Sequence, residues 1–114
     1  MHIEAIRDFC LALPATTEDF PFDDRTLVFR VGGKIYLLID VEEPGEFNVK
    51  CDPEMAIQLR EQYPDAIRPG YHMNKKHWNT VTVVGLDDRL LRDQIVKSYE
   101  LIKASLPKKV QDTL

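Results

Sequence analysis

Cysteine is scarce in this chain: Cys10 and Cys51 are the only two in 114 residues. One disulfide at most could form, which is too little for the framework of a small secreted domain, so both read as small buried hydrophobes in a reducing compartment. No run approaches the roughly 18 apolar residues of a membrane span. Glu4, Arg7 and Asp8 interrupt the apolar pattern at the N-terminus, so the uninterrupted core of a secretory signal is missing as well. The expectation is a cytoplasmic protein with no membrane partner. Glycine is also sparse, and Gly32-Gly33 lies between two strand-like runs rather than ahead of a helix, which excludes a Gly-rich phosphate loop. A global excess of basic charge is absent too. The net charge of −4 argues against a protein that coats nucleic acid through its whole-molecule field.

What is present fits one globular domain spanning residues 1–114. Hydrophobic residues make up 44% and charged residues 30%, far from the composition of a disordered chain. The charge is unevenly distributed. Residues 1–66 carry 14 acids and 6 bases, whereas residues 67–114 carry 5 acids and 9 bases, so an anionic partner would meet the C-terminal part.

Periodicity assigns the elements. Ile3, Ile6, Cys10 and Leu13 form one helical stripe that Pro14 ends. Residues 15–22 read as a connection with a short extended segment at Phe20–Phe22. Leu27, Phe29 and Val31 alternate with Val28 and Arg30, Gly32-Gly33 supplies a two-residue hairpin turn, and Lys34–Asp40 returns. Phe47, Val49 and Cys51 mark a third antiparallel strand. A second helix follows, with Asp52 as cap, Pro53 at its first position and Met55, Leu59 and Tyr63 as its buried stripe. Trp78 to Val84 is again strand-like. A long helix then runs through Leu91, Ile95, Tyr99 and Ile102, capped by Asp87 or Asp88, and stops before Pro107 and a basic tail. The order α-β-β-β-α-β(-β)-α points to an α+β fold, a mostly antiparallel sheet packed with helices.

The segment from Arg68 to Asn79 concentrates two histidines, the one tryptophan, a tyrosine, three bases and two amides between elements. The candidate ligand-binding set is Arg68, Tyr71, His72, Asn74, Lys75, Lys76, His77 and Trp78, with Lys34 at the hairpin tip as a further basic point. These residue types suit an anionic or polar ligand: charge from Arg and Lys, directional bonds from Asn, stacking from Tyr and Trp. Each also has an architectural alternative. Trp78 opens an apolar strand and is equally suited to the core, Asn74 to holding its own turn, and Lys75 and Lys76 to a solvated tip. His72 and His77, with Cys51, lack the spacing of a zinc site. Cys51 shares a strand face with Phe47 and Val49, so pairing it with a histidine for nucleophilic chemistry is not expected. No cofactor and no catalytic activity are expected.

The run Pro69-Gly70-Tyr71-His72-Met73-Asn74-Lys75-Lys76-His77-Trp78-Asn79 resembles the signature of the MmcQ/YjbR family of small bacterial proteins. Thr17-Glu18-Asp19-Phe20-Pro21-Phe22, Gly33-Lys34 and Asp52-Pro53 extend the resemblance over nearly the whole chain. It implies a fold similar to CyaY and to type III secretion chaperones, and a DNA-binding label. Under that label Arg68, Lys75 and Lys76 contact phosphates, Asn74 and His77 add polar contacts, and Tyr71 or Trp78 stacks or wedges. The alternative expectation is a protein-interaction module, with the same loop or the acidic N-terminal part docking another protein.

Overall fold

The computed structural model describes residues 1–70 and 73–114. The elements are α1 (Ile3–Ala12), β1 (Thr16–Asp19), β2 (Thr26–Val31), β3 (Lys34–Asp40), β4 (Glu46–Lys50), α2 (Pro53–Gln62), β5 (Ile67–Pro69), β6 (Trp78–Thr82), α3 (Asp88–Ser105) and α4 (Lys108–Gln111). The six strands form one sheet in the order β1-β2-β3-β4-β6-β5, with every neighbouring pair antiparallel. The α+β class inferred from periodicity is therefore the observed one.

Register fixes which side chains share a face, because directly paired residues point the same way. Leu27, Ile39, Phe47, Val81 and Ile67 align across the sheet, as do Phe29, Leu37 and Val49, and all are buried. The three longer helices cover this face. Ile6 and Cys10 of α1, Ala56 and Leu59 of α2, and Leu91, Ile95, Tyr99 and Ile102 of α3 complete one core. α3 crosses β2, β3 and β4, while α1 lies by β1 and α2 by β5.

A bulge lies between the pairs Phe29–Leu37 and Arg30–Ile35 and turns Tyr36 into the core. There its hydroxyl bonds Thr16 Oγ1 at 2.9 Å and donates to the Cys10 carbonyl at 3.3 Å, and its ring meets Tyr99 edge-on at 5.3 Å. Ser98 of α3 ties helix to sheet, donating to the Tyr36 carbonyl at 2.6 Å and accepting from the Lys50 amide at 2.9 Å.

The connection after α1 differs from expectation. The extended segment is Thr16–Asp19, not Phe20–Phe22. Pro21 has no amide hydrogen to give a sheet ladder, whereas Thr16 and Thr17 are β-branched and pair with Val31 and Arg30. Helix α2 is also turned from its expected stripe. Ala56 and Leu59 are buried and Tyr63 partly so, but Met55 is 37% exposed. The helix lies beside the short edge strand β5, and Ala56 and Leu59 are the residues it buries.

Candidate functional site

The strand directions give the sheet two unlike ends. At one end β2 turns into β3 through Gly32 and Gly33, both at positive φ. At this same end β4 finishes at Lys50, β5 finishes at Pro69 and β6 begins at Trp78. The β5–β6 loop therefore leaves the sheet beside the β2–β3 hairpin, two strands from β3, or about 10 Å across. α3 also ends here. The Leu106 side chain covers Gly32, its Cδ1 lying 2.4 Å from where a Cβ would stand, and Lys108 and Lys109 follow directly.

Lysines from separate stretches of chain thus meet at this end: Lys34 at the hairpin, Lys50 on β4, Lys75 and Lys76 in the β5–β6 loop, and Lys103, Lys108 and Lys109 around the end of α3. Lys34, Lys76, Lys108 and Lys109 are exposed. Lys34, Lys50, Lys76, Lys108 and Lys109 form no ion pair among the described residues, and Lys103 lies 5.9 Å from the centre of the Tyr99 ring. Acids also stand near this end: Asp52 and Glu54 at the start of α2, Glu100 of α3, which lines a groove with Cys51 and Asp52, and Asp112 after α4. Asp52 accepts from the Met55 amide as the helix cap.

The opposite end is acidic. Asp23 and Asp24 precede β2, Asp40, Glu42, Glu43 and Glu46 surround the β3–β4 turn, and Asp87 and Asp88 begin α3. A cleft of about 440 Å³ opens among Asp40, Glu43, Glu46 and Asn48 there.

Arginines have a different task from lysines. Arg7 pairs with Glu18, Arg25 with Asp40 and Glu42, Arg30 with Asp19, and Arg68 with Glu46. The Arg7 guanidinium hydrogen-bonds the Glu18 carboxylate and holds it below the usual carboxylate range. Arg60 of α2 donates to Asn79 Oδ1 at 2.7 Å and to the carbonyls of Lys75 and Trp78, pinning the β5–β6 loop to the helix. Asn79 is fully buried, and among the described residues its Nδ2 has no hydrogen-bond partner.

The residues singled out by sequence therefore divide. Lys34, Lys75, Lys76, His77 and Trp78 come together at the basic end. His77 is half-buried, and its carbonyl accepts from the Cys51 amide at 2.7 Å. Arg68 points along the open face toward Glu46 and Thr82, away from that end. Asn74 accepts from the Lys76 amide at 3.0 Å, so its side chain shapes the turn. Tyr71 and His72 lie outside the described residues. Trp78 is not among the core residues: it pairs with Lys50 and shares a sheet face with Thr80, Thr82, Asn48 and Lys50, opposite the face on which α1, α2 and α3 build the core among the described residues. Lys50, Lys103, Lys108 and Lys109 were not singled out by sequence, since only the register and the Leu106–Gly32 packing bring them near the loop.

Both thiols are free and buried. Burial pushes Cys10 up to about 12, and it raises Cys51 too. Neither is a thiolate near neutral pH, the form that nucleophilic chemistry needs. Among the described residues no group of histidines, cysteines and carboxylates is arranged to hold a metal ion, and no helix is long and apolar enough to cross a membrane.

Residues 11–101 match the family model described as YjbR. The chain is 38% identical to the uncharacterized protein YbdF of Escherichia coli O157:H7 over 110 residues, covering 95% of this chain and 89% of that one. It is 29% identical to the uncharacterized protein YjbR of Escherichia coli strain K12 over 116 residues, covering 100% and 98%. Among solved structures, the crystal structure of Deinococcus radiodurans protein DR2400, domain DUF419, superposes with a TM-score of 0.92 at 39% identity, over 98% of this chain and 86% of that one. A crystal structure of a Pseudomonas syringae protein gives a TM-score of 0.71 at 28% identity, over 90% and 99%.

Proposed function

The chain belongs to the YjbR family, and we propose that it binds nucleic acid through the basic end of its sheet. The observation that carries this is the segregation of charge. Lys34, Lys50, Lys75, Lys76, Lys108 and Lys109 gather where the hairpin, the β5–β6 loop and the end of α3 meet, while the acids of the β3–β4 turn gather at the other end. A chain of net charge −4 can then present a positive surface locally, and the acidic end repels the same polyanion and orients the encounter. Lys34, Lys50, Lys76, Lys108 and Lys109 form no ion pair among the described residues, which suits phosphate contacts, and these supply affinity and not sequence choice. The proposal assigns no catalytic residue.

Fluorescence anisotropy with a labelled mixed-sequence oligonucleotide at low ionic strength tests this. Binding should be lost in a Lys34→Glu/Lys76→Glu/Lys109→Glu variant and retained in Glu42→Lys/Glu43→Lys. Equal affinities for both variants and the parent protein would refute it.

A second reading, as a protein-interaction module, has one observation in its favour. An apolar groove of about 400 Å³ runs between α2 and α3, with Cys51, Met55, Leu101 and Ala104 among its walls. Met55 and Leu101 are 37% and 38% exposed, the kind of surface that partner helices cover. A Leu101→Asp variant that loses a co-purifying protein while keeping oligonucleotide affinity would favour this reading.

A further inference from the structure

The basic end also carries a half-buried aromatic ring, and the arginines, the side chains best suited to reading a duplex, are either engaged within the protein or, as Arg89 and Arg92, stand at the start of α3 at the opposite end. Trp78, the one tryptophan of the chain, stands half-buried on the sheet face away from the core, directly opposite Lys50 in the β4–β6 register. Ile35 lies at the same end on β3, two strands away, whereas Lys34 pairs with Val31 and so belongs to the helix-covered face. Base edges in the major groove are read chiefly by the guanidinium fork of arginine and by a helix or ribbon inserted into the groove. Here Arg7, Arg25, Arg30, Arg60 and Arg68 all donate to carboxylates or carbonyls of the protein itself. Helices α1, α2 and α3 lie against the sheet, and α4, which follows α3 at this end, is a four-residue turn.

What remains is a ring flanked by flexible point charges. A duplex keeps its base faces inside the stack, whereas a single strand offers them to an aromatic side chain while its phosphates run past lysines. We infer that the basic end takes single-stranded nucleic acid, with Trp78 as a base-stacking platform and Lys50, directly opposite it, on the flanking phosphate. This inference rests on the nucleic-acid reading above and adds the strandedness of the ligand and the role of the ring.

Because Trp78 is the sole tryptophan, its emission reports on the site directly. The probes are oligo(dT) and oligo(rU) of about 12 nucleotides, a self-complementary hairpin of equal charge, and heparin as a polyanion without bases. Saturable quenching by either single strand, with little from hairpin or heparin, is the expected result, and the difference between dT and rU assigns the sugar. By anisotropy, Trp78→Ala should weaken single-strand binding about tenfold and leave heparin affinity unchanged, while Trp78→Phe restores most of the loss. Thermal melts of both variants establish that the fold is kept, and the quenching result stands on the parent protein alone. Hairpin binding as tight as single-strand binding, without quenching, would overturn the single-strand inference but leave the basic end as a nucleic-acid surface. Absence of binding by every probe would overturn both.

Discussion

Leu106 closes over Gly32: its Cδ1 sits 2.4 Å from the position a Cβ on Gly32 would take, and Gly32 holds φ at +59°. This contact anchors the end of α3 on the β2–β3 hairpin and so sets Lys108 and Lys109 at the same end of the sheet as Lys34. A side chain here meets both a backbone penalty and a collision with a buried leucine. Gly32→Ala should lower stability by about 2–3 kcal/mol in urea unfolding. Gly33 has φ +83° with nothing within 4 Å, so Gly33→Ala should cost about 1 kcal/mol. Equal losses at the two positions would mean that Leu106 does not pack on the turn.

Arg60 should matter to both stability and binding. Removing its guanidinium leaves the buried Asn79 amide without its bond from Nε and frees the carbonyls of Lys75 and Trp78. Arg60→Ala should cost about 2–3 kcal/mol and weaken oligonucleotide binding through a displaced loop. Arg60→Lys should recover little of either, because one ammonium cannot reproduce a fork reaching three oxygens. Urea unfolding and anisotropy on the same preparations check both effects.

Acid should loosen the acidic end. Asp23 accepts from the amides of Thr26 at 2.6 Å and Arg25 at 3.0 Å, and these bonds hold its carboxyl below the ordinary carboxylate range. Asp40 is lowered likewise, first by its hydrogen bond from Arg25. A group whose folded value is depressed adds stability that is complete above its unfolded value, near 4, and is lost as pH falls through the lower folded value. Stability should therefore decline on acidification below about pH 4, and Asp23→Asn should flatten that decline. A chemical-denaturation series between neutral and strongly acidic pH would show it, and an unchanged slope in the variant would refute the assignment.

Much of the architecture is legible in the sequence, for reasons local to each element. The Gly-Gly turn between alternating runs, the Phe47 and Val49 alternation of β4, and the Leu91, Ile95, Tyr99 and Ile102 stripe are each written in neighbouring residues. β1 is not, because its four polar residues TTED carry no apolar alternation and become a strand only against β2. The site is less legible still. Charge counted along the chain places bases in the C-terminal part, yet Lys34 and Lys50 come from the acidic part and Asp87 and Asp88 from the basic one. Arg68 lies within the basic-looking segment, but its partner Glu46 comes from another strand. Antiparallel register sorts these charges to the two ends, and register is a property of the assembled sheet.

The measurement that bears most directly on the basic end is the salt dependence of oligonucleotide affinity. The logarithm of the association constant should fall linearly with the logarithm of salt concentration, by roughly 0.7–0.9 for each phosphate neutralised. Lys34→Glu and Lys109→Glu should each flatten the slope by about one, and Glu42→Lys should leave it unchanged. An affinity indifferent to salt, or a slope that the lysine reversals do not alter, would contradict a phosphate-binding role for this end of the sheet.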